Sequence, residues 1–223
     1  MNGRHSNYFR TIYRRAAVFF IIILVSGCAF KAKAPEKVYR LEVNIEENVF
    51  FNQPVFDSLS VRHVQAEGRL AGSVEIVSVT KGDVVEVRVL QNARFESPPQ
   101  NTLEEALFFG LQQSGLATSV VRGASGAVGS MQLKTSLRKF ELVKESEKKN
   151  TLEFFAIAEY SLIDSTENKE ISGGEILFRE HIVDADKKVE TEKIIKSSGR
   201  AINELAFKIV SSIAEDIRAE LNR

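Results

Sequence analysis

Side chains able to carry out chemistry are sparse in this chain. Of 223 residues, three are histidine and one is cysteine. Beyond a basic leader only His63 and His181 remain as imidazoles, and with Cys28 as the sole thiol the usual His/Cys zinc sets cannot be assembled. Neither histidine stands in a catalytic motif, so each reads as an ordinary surface or half-buried side chain. Ser136-Leu137-Arg138-Lys139 and Ser146-Glu147-Lys148-Lys149 both have the Ser-x-x-Lys spacing of acyl-transfer enzymes, where the serine sits at a helix start. Here the first falls in an alternating strand pattern and the second in a charged turn, and neither Ser-Asp-Asn nor Lys-Thr-Gly accompanies them. Both read as coincidences. Gly123, Gly126 and Gly129 could let backbone amides approach a phosphate, but no Lys-Ser or Lys-Thr follows them, which leaves a plain loop. The acid-rich turns Glu145–Lys149 and Asp164–Glu170 lack EF-hand spacing and read as solvated hairpin tips. Together these readings lead to no enzyme, no metal and no cofactor.

Cys28 is different, because its neighbours explain it. Arg10, Arg14 and Arg15 precede an unbroken apolar run, Ala16 to Val25, that ends in Ser26, Gly27 and Cys28. Basic, apolar, then small residues make an export signal. The run is about half of the roughly 20 residues that a helix needs to span a bilayer core. Leu24-Val25-Ser26-Gly27-Cys28 resembles the bacterial lipobox, which implies cleavage between Gly27 and Cys28 and acylation of the Cys28 thiol, palmitate included. A lone cysteine in an exported protein has no internal disulfide partner, and acylation accounts for it. One acyl chain anchors marginally, whereas two or three hold almost irreversibly. In lipoproteins of two-membrane bacteria, Asp after the modified cysteine marks inner-membrane retention. Ala29 stands there, so the resemblance implies the periplasmic leaflet of the outer membrane, with the inner membrane as the alternative.

The formal charge of zero hides an asymmetry. Residues 1–27 hold four arginines and no acid, so their removal leaves 26 bases facing 30 acids and disfavours a nucleic-acid partner. Residues 28–37 form a short tether that holds the domain no more than about 40 Å from a membrane. Residues 38–223 read as one domain. Val38–Ile45 alternates, with Tyr39, Leu41, Val43 and Ile45 on the apolar face, while 46–72 shows no clear pattern. Ser73–Val79 and Val84–Phe95 are β-rich and flank the turn Thr80-Lys81-Gly82-Asp83. Pro98-Pro99 closes that strand, and Thr102 with Glu105 has capping-box spacing. Leu103, Ala106, Leu107, Gly110 and Leu111 then form one helical stripe, with Gly115 placed to end it. Residues 117–122, Met131–Val143, Leu152–Ile163 and Glu175–Ile182 read as strands. Apolar residues on both faces make Leu152–Ile163 a central one. Ile202, Leu205, Ala206, Ile209, Ile213 and Ile217 mark a long amphipathic helix that starts between Lys193 and Ala201. The sum is α+β: a two-layer sandwich of a mostly antiparallel sheet with two principal helices on one face.

Several of these segments, in their order and spacing, resemble the ABC-type transport auxiliary lipoproteins, the family that includes the lipoprotein of the paraquat-inducible system and works with MCE lipid transporters. They are Tyr39-x-Leu41, Arg94-Phe95-x-x-Pro98-Pro99 followed by the Leu103–Leu111 helix, Leu137-x-x-Phe140-Glu141, and the terminal helix. The family usually has Trp where this chain has Phe95, a change that keeps the apolar bulk. The resemblance implies a non-enzymatic, lipid-anchored adaptor that docks an MCE-family periplasmic protein during intermembrane phospholipid transport, and it leaves self-association into a ring open. Other envelope roles remain open beside it: assembly of an outer-membrane complex such as lipopolysaccharide transport, or an envelope hydrolase. Phe108, Phe109 and Phe207 lie beside or off the helical stripes, which makes them candidate partner contacts.

Overall fold

The computed structural model describes residues 37–45, 49–67, 79–81, 84–86, 93–123, 130–145, 151–184 and 191–223. Its centre is a six-stranded sheet built on three long strands, β8 (Met131–Glu145), β9 (Thr151–Asp164) and β10 (Lys169–Asp184), which pair antiparallel in chain order. On the other side of β8 lie β2 (Phe56–Val61) and then β7 (Ala117–Arg122), with β2 parallel to both neighbours. The short β3 (Gln65–Ala66) continues along β8. Parallel neighbours need a crossover, and the one from β2 to β7 carries helix α1 (Pro99–Gln113). The terminal helix α2 (Thr191–Leu221) lies over β10 and β9 and packs against α1. The α+β sandwich is therefore present, with antiparallel pairing in its long strands and parallel pairing at the β2 end.

β8 carries an irregularity that explains an otherwise awkward spacing. Leu137 and Phe140 are three residues apart and would face opposite sides of a regular strand. A register shift between Leu137 and Lys139 inserts Arg138 as an extra residue, so both side chains point into the core. Phe140 there is the middle of an edge-to-face series: Phe95, Phe140, Phe154 and Phe178, with successive ring centroids 6.1, 4.9 and 6.4 Å apart. Phe95 thus supplies the bulk expected of it. On β9, Leu152, Phe154, Ala156, Ala158, Tyr160 and Leu162 are all buried, and β9 is central as its two-sided apolarity predicts.

Several expectations need correction. The alternation over Val38–Ile45 yields a ladder only at β1 (Lys37–Tyr39), parallel to β6 (Ala93–Phe95). Beyond Tyr39 the facing persists, with Leu41 buried and Val43 and Ile45 packed on the core. Side-chain anchoring replaces the ladder: the Asn44 N–H donates to Asn203 Oδ1 and Asn203 Nδ2 donates to the Glu42 carbonyl. β2 falls in the stretch where no pattern was legible, since Leu59, Ser60 and Val61 are buried in succession. The hairpin of β4 (Val79–Lys81) and β5 (Val84–Glu86) is present, with Thr80 and Lys81 inside its strand instead of its turn. Thr102 and Glu105 form no cap, because α1 starts three residues earlier. Pro99 takes the first helical position, where its missing N–H and fixed φ cost nothing, and Pro98 precedes it without a side-chain cap. β10 (Lys169–Asp184) begins well before the expected Glu175 and ends just past Ile182, and α2 begins at Thr191, upstream of the expected window. Residues 124–129 of the glycine-rich loop lie outside the described residues.

Candidate functional site

The three aromatics singled out beside the helical stripes divide into two kinds. Phe108 is half-buried against the core, its ring tilted on Phe109 at 5.5 Å between centroids. Phe109 remains 39% exposed and Phe207 42% exposed, so these two rings are the ones the helical layer presents to solvent. The other aromatics near Pro54 are accounted for by packing. Phe50, Phe51 and Phe56 rest on the core, and the Arg218 guanidinium sits over Phe50 and Phe51 at 5.7 and 5.2 Å while Nη2 donates to the Phe50 carbonyl.

A charged cluster escaped the sequence reading. Glu104 on α1 lies seven residues before Leu111, almost in line with it on the helix, and its side chain is only 7% exposed. A buried carboxylate must be paired. Three donors converge on it: His63 Nδ1 at 3.0 Å and the Val64 N–H at 3.4 Å from the chain leaving β2, and Arg122 Nε at 3.1 Å from the end of β7. The cluster joins one helix to two strand ends. An acid on the apolar stripe was the available signal; its partners, from two remote segments, were not inferable. The carboxylate fixes the orientation of the His63 ring much as in an acid–base pair. On its other side the ring faces the open α-carbon of Gly123, where an added Cβ would stand 4.0 Å from Nε2. Its role in this geometry is to hold elements together.

The face of the sheet opposite the helices carries its own polar network. Ser136 Oγ and Arg138 Nε both donate to Glu67 Oε1, at 3.1 and 3.2 Å, and Arg138 Nη1 reaches Glu159 Oε1 at 2.9 Å. Lys139, the lysine of the first Ser-x-x-Lys match, stacks over the Phe155 ring at 5.4 Å. The Ser136 hydroxyl is thus committed to a carboxylate. Ser146 lies outside the described residues. Alongside this network a hollow of about 680 Å³ is lined by Arg62, His63, Lys134, Ser136, Glu159 and Glu175 among others. Its charges of both signs favour no one class of ligand. Among the described residues no group of three or more His, Cys, Asp or Glu is placed to hold a metal ion. His181 is exposed on β10.

Gly27 and Cys28, the expected cleavage and acylation site, lie outside the described residues. Among those described, no helix is long and apolar enough to cross a membrane.

No family model matches this sequence, and no curated protein matches it. Solved structures do. A Xanthomonas campestris protein of the family model DUF330 superposes with a TM-score of 0.65 at 16% identity, covering 84% of this chain and 100% of that one. An uncharacterized protein gives 0.54 at 16% identity, over 80% and 99% of the two chains. A minor lipoprotein from Acinetobacter baumannii superposes more loosely, at 0.41 and 11% identity, over 73% and 95%. The likeness to the first two is one of fold.

Proposed function

We propose that this protein is a lipid-anchored, non-enzymatic component of the bacterial envelope, fixed by Cys28 to the periplasmic face of the outer membrane, where it docks the MCE-family protein of an ABC-type phospholipid transport system. The observation that carries the reading is the run Ala16–Val25, whose last two residues open Leu24-Val25-Ser26-Gly27-Cys28, with the chain's only thiol at the lipobox position. The order and spacing of the Tyr39, Arg94–Pro99 and Leu137–Glu141 motifs supports the finer assignment. A tether of about ten residues keeps the domain within about 40 Å of the membrane, and confinement of that kind raises the local concentration of a partner's end, so a modest interface is occupied. Among the described residues, Phe109 and Phe207 are the exposed aromatics available to such an interface.

The test is a comparison of the wild type with Cys28→Ala in cells fed a labelled fatty acid, followed by envelope crosslinking and purification. The wild type is expected to incorporate label, fractionate with the outer membrane and retrieve an MCE protein. Cys28→Ala is expected to lose the label and either leave the membrane or remain as an unprocessed precursor. Label and processing unchanged in Cys28→Ala would refute the anchor, and retrieval of a β-barrel assembly partner in place of an MCE protein would refute the transport assignment.

A further inference from the structure

Strand β10 forms one edge of the six-stranded sheet and pairs only with β9 among the described residues, so the hydrogen-bonding groups on its far side face outward. Edge strands of soluble proteins are ordinarily blunted by Pro, by Lys, by bulges or by brevity, because an open edge is a template for another strand. This one is bulged only near its ends, and the charged side chains between them, Glu175, Arg179 and Glu180, are of both signs. Register shifts occur at Glu170/Ser172 and at His181/Val183, and between them Ser172–His181 runs in unbroken register without a proline or a lysine. At the centre of that stretch Leu177 is 47% exposed, one of the large apolar side chains the domain leaves in water.

We propose that the occupant of this edge is a second copy of the same chain, paired antiparallel through β10 about a two-fold axis at Leu177. Side chains on the outer face, Gly173, Glu175, Leu177, Arg179 and His181, decide the register, because residues opposite each other must share a face. Centring on Leu177 sets Leu177 against Leu177 of the second copy and Glu175 against its Arg179, twice by symmetry. On the inner face it sets Ile176 against Phe178, also twice. Centring on Glu175 or on Arg179 opposes like charges, and centring on Ile176 sets Glu175 against Leu177. A centre at Phe178 matches Glu175 with His181 but sets Leu177 against Arg179. The Leu177 centre is the one that matches both apolar and charged side chains.

The surroundings agree with that register. Glu175 is exposed and makes no ion pair among the described residues. Arg179 is held from its own neighbouring strand by Glu153, so a carboxylate of the second copy would join partners the guanidinium already has. Leu177 lies opposite Ile157 on β9, and Ile157 opposite Lys139, whose ammonium rests on Phe155. Pairing therefore extends an apolar stripe through Ile157 and Leu177 into its symmetry mate, with the sheets of the two copies joined into one. The argument for this edge uses neither the lipobox nor an MCE contact, so the proposal stands or falls independently of the anchor and of the transport assignment.

The experiment uses the full-length lipoprotein in envelopes, where acylation occupies Cys28 and a Leu177→Cys substitution supplies the reactive thiol. Oxidation or a short bis-maleimide is expected to convert Leu177→Cys into a two-chain species, and to leave the exposed control Glu215→Cys as a monomer. Glu175→Arg and Arg179→Glu, each added to the Leu177→Cys background, should each lose most of that species, since each opposes like charges twice. Co-expression of the two reversed chains should restore it, because the mixed pair meets Arg with Glu at both positions; restoration also certifies that both variants fold. The wild type in detergent should have twice the monomer protein mass by light scattering. A Leu177→Cys yield no higher than that of Glu215→Cys, indifference to the charge reversals, or a protein mass of one chain or of more than two overturns the proposal.

Discussion

Gly115→Ala should be severely destabilising, and the structure allows its cost to be worked out atom by atom. Gly115 follows the C-cap residue Ser114 of α1 with φ +71°, a left-handed conformation that costs an ordinary L-residue about 1–2 kcal/mol. An added Cβ would stand 2.2 Å from the Phe51 carbonyl oxygen and 3.2 Å from its carbon. Both are backbone atoms, so no side chain can swing aside. Relief requires the 50–51 segment to move off the end of the helix, where the Phe50 and Phe51 N–H groups donate to the Ser114 carbonyl at 2.9 and 3.2 Å. Losing those two bonds adds about 0.5–1.5 kcal/mol each. The total is about 2–5 kcal/mol, a large share of a typical domain's stability of about 5–15 kcal/mol. Urea unfolding followed by far-UV circular dichroism checks it: with a slope of about 2 kcal/mol per molar, the midpoint should fall by about 1–2.5 M. Gly115→Asn separates the two causes, since Asn tolerates the left-handed region yet carries the same Cβ. It should remain at least about 1 kcal/mol below wild type, because the steric part persists. A Gly115→Ala protein within about 1 kcal/mol of wild type would refute the account of how the segment seats on α1.

Gly199 predicts the opposite sign. It lies inside α2 with nothing within 4 Å of an ideal Cβ among the described residues, so Gly199→Ala should stabilise by about 0.5–1 kcal/mol and raise the melting temperature. Glu104→Gln keeps the shape of the buried carboxylate but removes the charge that His63 and Arg122 satisfy, and should cost about 1–3 kcal/mol in the same denaturation assay. The neighbouring Glu105→Gln, outside that cluster, should stay within about 0.5 kcal/mol of wild type.

Where local pattern and tertiary setting agree, the fold was readable. The stripes Leu103–Leu111 and Ile202–Ile217 are buried as helical periodicity requires, and β9 is central as its two apolar faces require. Failures came where the setting overrides the pattern. Thr102 and Glu105 have the spacing of a cap, but a proline at the first helical position moved the start upstream and placed both inside the helix. Alternation over Val38–Ile45 correctly assigned the faces but not the partner: facing is a local property, whereas a ladder needs a neighbour at strand distance. β2 lacks alternation because, with parallel neighbours on both sides, it buries Leu59, Ser60 and Val61 in a row.

The same distinction separates the parts of the functional reading. A lipobox is contiguous, and the enzymes that act on such a motif meet an extended chain, so all of its information lies in five adjacent residues. Glu104, His63 and Arg122 come from three segments, and only the first announces itself, as an acid on an apolar stripe. The β10 edge is further from the sequence still. Leu177, Glu175 and Arg179 occupy a strand whose alternation would look the same in the middle of a sheet, and only the order β10-β9-β8-β2-β7 leaves it at an edge among the described residues. Strand order follows from which non-local pairings close the core. An interface on an edge is therefore invisible to any reading that stops at single elements, and it becomes legible once the last strand is placed and its outward side chains can be matched against themselves.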